Sequence, residues 1–364
     1  MNEDIYRKLA KVLDSLPQGF PATESGVEMK LLKKVFSPGE ADLFCDLKLT
    51  PETVEQIAGR TGRSLDSFSE TLNSMGMRGL AVMEPAEDGV LFGINQWLWI
   101  HDDQVPFQDE EFAALSDAYL PTFMPQLMEN NPRFHRTIPV ETQITDCRET
   151  MSFNSLSKLL EGHQSFAAHD CVCRIEKRMI GQGCDHGVGG CLTIAAEPGA
   201  FDDFDDIPGF DVISKEQAHE LLLKFEEDGL VHQVSNTIGD QIYICNCCGC
   251  CCQFLAHVNQ ANMSDNWALV NSNFYAKIDA DGCIACGVCK DERCQVNAIK
   301  EGEKAYLVAK RKCIGCGLCA STCPTDAIRM VMKKHEELVL PLKNEAEWNK
   351  ARGRARGVDF SGYL

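Results

Sequence analysis

Ile5, Leu9, Val12, Leu13 and Leu16 fall on one helical face, so their spacing predicts an amphipathic helix over 2–16. Prolines and a glycine at 17–21 break it, and a second helix is expected over 24–36. Ser37, Pro38 and Glu40 form a capping box with proline at the first helical position. Thr50-Pro51 is expected to open another helix that ends at 59–62, and Ser64 to cap a third running to Gly76. Segments 80–83 and 90–94, on either side of a turn at 87–89, read as paired strands. Trp97 and Trp99 alternate with Leu98 and read as strand, while 106–136 reads as helix broken at Pro121, Pro125 and Pro132.

Further on, Ser214 and Gln217 form a capping box for a helix that buries Ala218, Leu221, Leu222 and Phe225 and ends at Gly229. Strands are expected over 230–234, 241–244, 274–278 and 305–309. The last segment, 333–364, carries mixed charge with Arg352, Arg354 and Arg356, and reads as a solvated or partner-wrapping extension.

Helices followed by a two-stranded wing are similar to a winged helix-turn-helix, and 54–62 resembles the first helix and turn of such regulators. The recognition helix in that comparison, 64–76, carries Asp66 and Glu70, with cations only at its edges, Arg63 and Arg78. A groove-reading helix needs more donors and less negative charge, so a structural or docking module is favoured over DNA binding.

Twenty cysteines in 364 residues change the picture. The N-terminus is polar and acidic, without the pattern of a signal peptide, and no apolar run is long enough to span a bilayer. The cysteines therefore read as reduced metal ligands in a cytoplasmic protein, and the oxygen lability of many clusters suggests an anaerobe. The net charge of −19 argues against nucleic acid and suits an electron carrier that docks on basic patches of redox partners.

Two cysteine runs repeat. Cys313, Cys316, Cys319 and Cys323, followed by Pro324, match the C-x2-C-x2-C-x3-C-P signature of bacterial ferredoxins. Cys283, Cys286, Cys289 and Cys294 repeat it with a four-residue last gap and Gln295 in place of proline. A structural zinc site pairs C-x2-C knuckles or adds histidines, and does not fit two triple runs. In the two-cluster ferredoxins that these runs resemble, the fourth cysteine crosses over. Carried to this chain, one [4Fe–4S] cluster falls to Cys283, Cys286, Cys289 and Cys323, the other to Cys313, Cys316, Cys319 and Cys294. Gly287 and Gly317 suit loops that approach a cluster closely.

The middle region holds ten more cysteines: Cys171, Cys173, Cys184 and Cys191, then Cys245, Cys247, Cys248, Cys250, Cys251 and Cys252. An acidic loop, 201–206, lies between them. Thiols at this density imply one or two further iron–sulfur clusters or another soft metal, or else redox thiols. The first four can serve one cluster by themselves, with the later six supplying a second or completing the first. Neighbours on a strand face opposite ways, so those six serve one cluster only through a sharp turn, which Gly249 permits.

Arg174 is placed to set positive charge beside a cluster or to make an ordinary salt bridge. His169 and His186 read as supporting or surface residues rather than ligands, and 181–187 as a cluster-binding loop. Cys45 reads as a core thiol, and Cys147 has no assigned role.

The order of winged helix, C-V-C-R, C-N-C-C-G-C-C-C and a two-cluster ferredoxin module resembles a family of 4Fe–4S-binding proteins of anaerobic bacteria. The opening 16–26 is also similar to that family. The resemblance implies iron–sulfur binding and electron transfer, without naming a substrate.

The expected fold is α+β and multidomain. A winged-helix-like domain occupies 1–105, a helical connector 106–136, an α/β cysteine-rich domain 137–270, a ferredoxin-like two-cluster domain 271–332 and a tail 333–364. The expected function is single-electron transfer between redox partners. A reductase with its active site at the middle cluster and a redox-responsive regulator are the alternatives.

Overall fold

The computed structural model describes residues 2–86, 89–103, 109–144, 153–202, 209–261 and 265–364. Cys147, Glu87 and Asp88 of the hairpin turn, 106–108 of the connector and 203–206 of the acidic loop lie outside the described residues. The chain forms two compact units, Met1–Asn131 with Asn349–Leu364, and Pro132–Trp348.

The first unit opens with α1 (Asn2–Ser15) and α2 (Val27–Val35), whose apolar faces bury Leu9, Leu13, Leu31 and Leu32. The Ser37–Glu40 capping box starts α3 (Pro38–Phe44). The next helix, α4 (Val54–Thr61), is capped by Thr53 and Gln56 rather than opened at Thr50. Thr53 Oγ1 accepts from the Gln56 N–H and Gln56 Oε1 from the Thr53 N–H, a reciprocal pair that Thr50-Pro51 does not offer. Then come α5 (Leu65–Met77) and an antiparallel hairpin of β1 (Ala81–Ala86) and β2 (Gly89–Ile94).

Both cations at the edges of α5 are held within the unit. Arg63 pairs with Asp42 and Asp46, and Arg78 with Glu40.

Trp97 and Trp99 are not in a strand: they belong to α6 (Trp97–Asp103), where Gln96 O accepts from the Trp99 and Ile100 amides. Three alternating residues cannot distinguish a strand from a helical turn that buries two of them. Nor do the prolines break the connector at 121 and 125, because α7 (Glu110–Met128) runs through both and buries Phe112, Tyr119, Phe123 and Leu127.

The second unit is built on a six-stranded sheet. Its strands are β3 (His135–Thr137), β4 (Ser165–Asp170), β5 (Gly189–Ala195), β6 (Phe210–Ile213), β7 (Val231–Ser235) and β8 (Tyr243–Cys247). Their spatial order is β3-β7-β8-β5-β4-β6, and every pairing is antiparallel. The middle region is therefore α+β, which corrects the α/β expectation: its connections return neighbouring strands without parallel crossovers.

Helices α8 (Leu156–Glu161) and α10 (Lys215–Glu227) bury Leu156, Leu160, Ala218 and Leu222 in a core with Phe166, Leu192, Val234 and Ile244 of the sheet. Short α9 (Val172–Met179) follows β4, and α11 (Gln253–Ala261) follows the cysteine turn.

The C-terminal cysteine repeats have their own strands. These are β9 (Phe274–Ile278), β10 (Ile299–Glu301), β11 (Tyr306–Val308) and β12 (Ile328–Met332), in antiparallel pairs β9–β12 and β10–β11. One-turn α12 (Leu318–Ser321) lies between β11 and β12.

The tail is not a solvated extension. It contains α13 (Glu345–Arg356), and Arg352 is fully buried, donating to the carbonyls of Gln126, Leu127 and Asn130 at the end of α7. A guanidinium suits those carbonyls, because a helix C-terminus leaves them unpaired and negative. Arg356 donates to Asp14 and to the Leu16 carbonyl. No helix among the described residues is long and apolar enough to cross a membrane.

Candidate metal centres

The strand pairs bring the two cysteine runs together in crossed fashion. Cys283, Cys286 and Cys289 line one cavity with Cys323 and Pro324, under Ile278 and Tyr306. Cys313, Cys316 and Cys319 line a second with Cys294, under Ala276, Val308 and Ile314.

Glycine admits the close turns. Gly287 and Gly317 sit at φ +89° and +84°, and a Cβ on Gly315 would stand 2.3 Å from the Phe274 carbonyl. Backbone amides point at sulfur in the second cavity, from Ala276 to Cys313 Sγ at 3.3 Å and from Ala298 to Cys294 Sγ at 3.1 Å. Burial pushes the thiols of Cys289 and Cys316 up to about 11 and about 12. Dry thiols of this kind stay protonated at neutral pH unless a cation stands among them, a charge that bound iron would provide.

Both departures of the first run from the ferredoxin pattern make contacts outside the run. The extra residue in its last gap forms a wide π-type turn, Cys289–Arg293, ending on a buried arginine. Arg293 Nη1 and Nη2 donate to the Glu227 and Glu226 carbonyls at 2.7 and 2.5 Å, so its guanidinium caps the C-terminus of α10. Gln295, in the proline position, accepts from the Gly249 N–H through Oε1 at 2.7 Å. Asn259 Nδ2 then joins the two backbones, donating at 2.9 Å to both Gly249 O and Gln295 O. A Cβ on Gly249 would meet Gln295 O at 2.1 Å. Neither the role of Arg293 nor that of Gln295 follows from the cysteine spacing alone; the signal for both is the irregularity of the repeat itself.

The ten middle cysteines divide six and four. Cys191 and Cys245 are register partners on β5 and β8, and Cys247 lies two residues on along the same face. Cys171 and Cys173 stand at the start of α9, and Cys252 just before α11. These six thiols neighbour one another in a closed ring: Cys173 stands beside Cys171 and Cys252, Cys191 beside Cys171 and Cys245, and Cys247 beside Cys245 and Cys252. Hydrogen bonds from Cys173 and Cys191 hold Cys171 well below the usual thiol range, and those from Cys173 and Cys247 do the same for Cys252. Cys173, Cys191 and Cys247 are held well above it by the same neighbours and by burial.

Cys184 is not in this ring, which corrects its grouping with Cys171, Cys173 and Cys191. It lies beyond α9, and its Sγ is 3.9 Å from Cys248 Sγ. Cys184, Cys248, Cys250 and Cys251 have all four sulfurs within 4.8 Å of one another.

Arg174 is 1% exposed and donates to Asn246 O and Gly189 O. Burial opposes its charge, but the thiols of Cys171, Cys191, Cys248 and Cys247 outweigh burial and hold the guanidinium protonated. It fits only beside glycine, since a Cβ on Gly190 would stand 1.8 Å from Nη2. Arg174 Nε and Gln233 Nε2 are buried donors without a hydrogen-bond partner among the described residues. Donors of that kind, next to a thiol ring, fit the sulfides of a cluster.

His169 and His186 join no group of close ligand atoms among the described residues. His169 stacks on Phe210, and the His186 carbonyl accepts from Arg178. Cys45 caps the end of α3, and burial pushes its thiol up to about 11.

A family model described as a 4Fe-4S dicluster domain matches residues 276–330. The chain is 32% identical over 96 residues to the putative oxidoreductase UacF of Escherichia coli (strain K12), covering 23% of this chain and 15% of that protein. It is 38% identical over 53 residues to ferredoxin-1 of Caulobacter vibrioides, covering 14% of this chain and 47% of that protein. The chain thus spans less than half the length of either relative. No solved structure matches. The matched segment holds both C-terminal cysteine runs, and these likenesses support an iron–sulfur protein of the electron-transfer kind with a ferredoxin-type domain at its C-terminal end.

Proposed function

We propose that this chain is a fixed electron relay. Two ferredoxin-type [4Fe–4S] clusters, on Cys283, Cys286, Cys289 and Cys323 and on Cys313, Cys316, Cys319 and Cys294, are joined to a third cluster held by the ring of Cys171, Cys173, Cys191, Cys245, Cys247 and Cys252. The observation that carries the reading is the junction made by Arg293 and Gln295. A free carrier has no use for such an attachment. A relay needs one, because electron transfer demands a held separation between centres.

When bound, the clusters supply one-electron chemistry. The protein's part is to exclude water from the ring and to set the buried charge of Arg174 against its thiolates. Residues 137–270 and 271–332 act together in this reading. Residues 1–105, winged-helix-like in element order, serve as a contact domain rather than a DNA reader, as the paired Arg63 and Arg78 favour. The partners are a redox protein donor and acceptor in the cytoplasm of an anaerobe.

One observation favours reductase chemistry as a second reading: the ring has six thiols where a cubane takes four. A pair left beside a cluster gives a place where a substrate can be reduced.

The test is a reductive titration of the anaerobic holoprotein followed by electron paramagnetic resonance. The unmodified protein is expected to take up about three electrons, one per cluster, and a Cys247→Ser, Cys252→Ser variant about two. Equal uptake by both proteins contradicts the relay.

A further inference from the structure

We infer that Cys184, Cys248, Cys250 and Cys251 bind a single tetrahedral metal ion without sulfide, a soft divalent ion such as zinc or ferrous iron, and that this ion clamps the turn joining the thiol ring to the ferredoxin module.

The argument is one of size. Around one ion with metal–sulfur bonds of about 2.3 Å, the edge of a sulfur tetrahedron is about 3.8 Å. Cys184 and Cys248 are 3.9 Å apart, and no pair in the quartet exceeds 4.8 Å. A cubane binds each thiolate to a different iron and holds the four sulfurs much farther apart. Among the described residues, this quartet is the one group of three or more cysteine, histidine or carboxylate ligand atoms that closes to within 4.8 Å. The two ferredoxin quartets, which line open cavities, do not reach that spacing.

The surroundings fit a closed structural site. Cys248 and Cys251 are buried against Phe225 and Leu230, with Leu221 beside them. Cys250 is exposed, so an ion can enter from solvent. Four protein thiolates leave no position open for a substrate, and tetrahedral all-sulfur sites select zinc or iron.

The location gives the site its consequence. Three ligands lie within Cys248-Gly249-Cys250-Cys251, flanked directly by Cys247 and Cys252 of the ring. Gly249 in the same turn donates to Gln295. One ion therefore fixes the orientation of two ring thiols and of the ferredoxin contact together.

The test is zinc, iron and acid-labile sulfide per chain in the anaerobic holoprotein and in Cys184→Ser and Cys250→Ser variants. The expected result is loss of one metal ion per chain with sulfide unchanged. Loss of zinc identifies that ion; loss of sulfide-free iron, with its high-spin ferric signal after oxidation, identifies iron. A fall of about four sulfides per chain means a cubane and overturns the inference, as does metal content equal to that of the unmodified protein.

X-ray absorption on the unmodified protein tests the site without any substitution. For zinc it should give four sulfur neighbours at about 2.3 Å. Oxygen or nitrogen neighbours at a zinc ion would overturn the site, as would the absence of both zinc and sulfide-free iron.

Discussion

Gln295 Oε1 accepts the Gly249 N–H at 2.7 Å, so the residue that stands in place of the ferredoxin proline ties the ferredoxin loop to the middle cysteine turn. Two residues earlier, Arg293 caps α10. The irregular repeat thereby attaches the module to α10 and the middle cysteine turn, beside contacts such as that of Val140 N–H with the Cys316 carbonyl.

Arg293→Ala is expected to destabilise this unit by about 2–4 kcal/mol, because it strips charged donors from two helix-end carbonyls. Arg293→Lys should recover little, since an ammonium cannot bridge both carbonyls as the planar fork does. Anaerobic denaturant unfolding followed by loss of cluster absorbance measures both. Full recovery by lysine would contradict the fork-specific role.

Gly249→Ala places a methyl group where the Gln295 carbonyl already stands, 2.1 Å away. The turn and the ferredoxin loop must then separate. The expected result is a changed spectrum for the cluster that Cys294 serves, with the cluster of Cys283, Cys286, Cys289 and Cys323 unaltered. Site-resolved Mössbauer or paramagnetic spectra read the difference.

Gly190→Ala forces Arg174 out of its place, where Nη2 would lie 1.8 Å from the new Cβ. Without that buried charge the ring should fail to hold its cluster. Iron should fall by about four per chain while both ferredoxin-type signals remain.

How far the sequence could be read depends on the distance over which each feature is encoded. The ferredoxin runs were legible because most of their successive ligands are three or four residues apart. Capping boxes at Ser37 and Ser214 were legible for the same reason. The six-and-four division was not, because the pairing of β5 with β8 brings Cys191 against Cys245 across more than fifty residues. The anchoring of the tail is not encoded locally, because the carbonyls that hold Arg352 lie over two hundred residues earlier. Trp97 to Trp99 misled through an alternation too short to have a period.

Lys333 lies 3.4 Å from the centre of the Trp267 ring, whose Nε1 donates to the Cys313 carbonyl at 2.8 Å. Burial lowers its ammonium to about 7, against the opposing pull of Cys313. Positive charge beside a cluster favours the reduced form, so the potential of the adjacent cluster should fall as pH rises through 7. The slope cannot exceed about 59 mV per pH unit for one electron and one proton. Lys333→Met should give the lower potential at every pH. Potentiometric titrations between pH 6 and pH 8, roughly one unit either side of that value, check both statements.

The most direct test of the relay is iron and acid-labile sulfide per chain in protein purified without oxygen. Two ferredoxin clusters and one ring cluster require at least about twelve sulfides, four per cubane. About eight would mean that only the ferredoxin module is loaded, and the ring would then be a set of redox thiols and not part of an electron path.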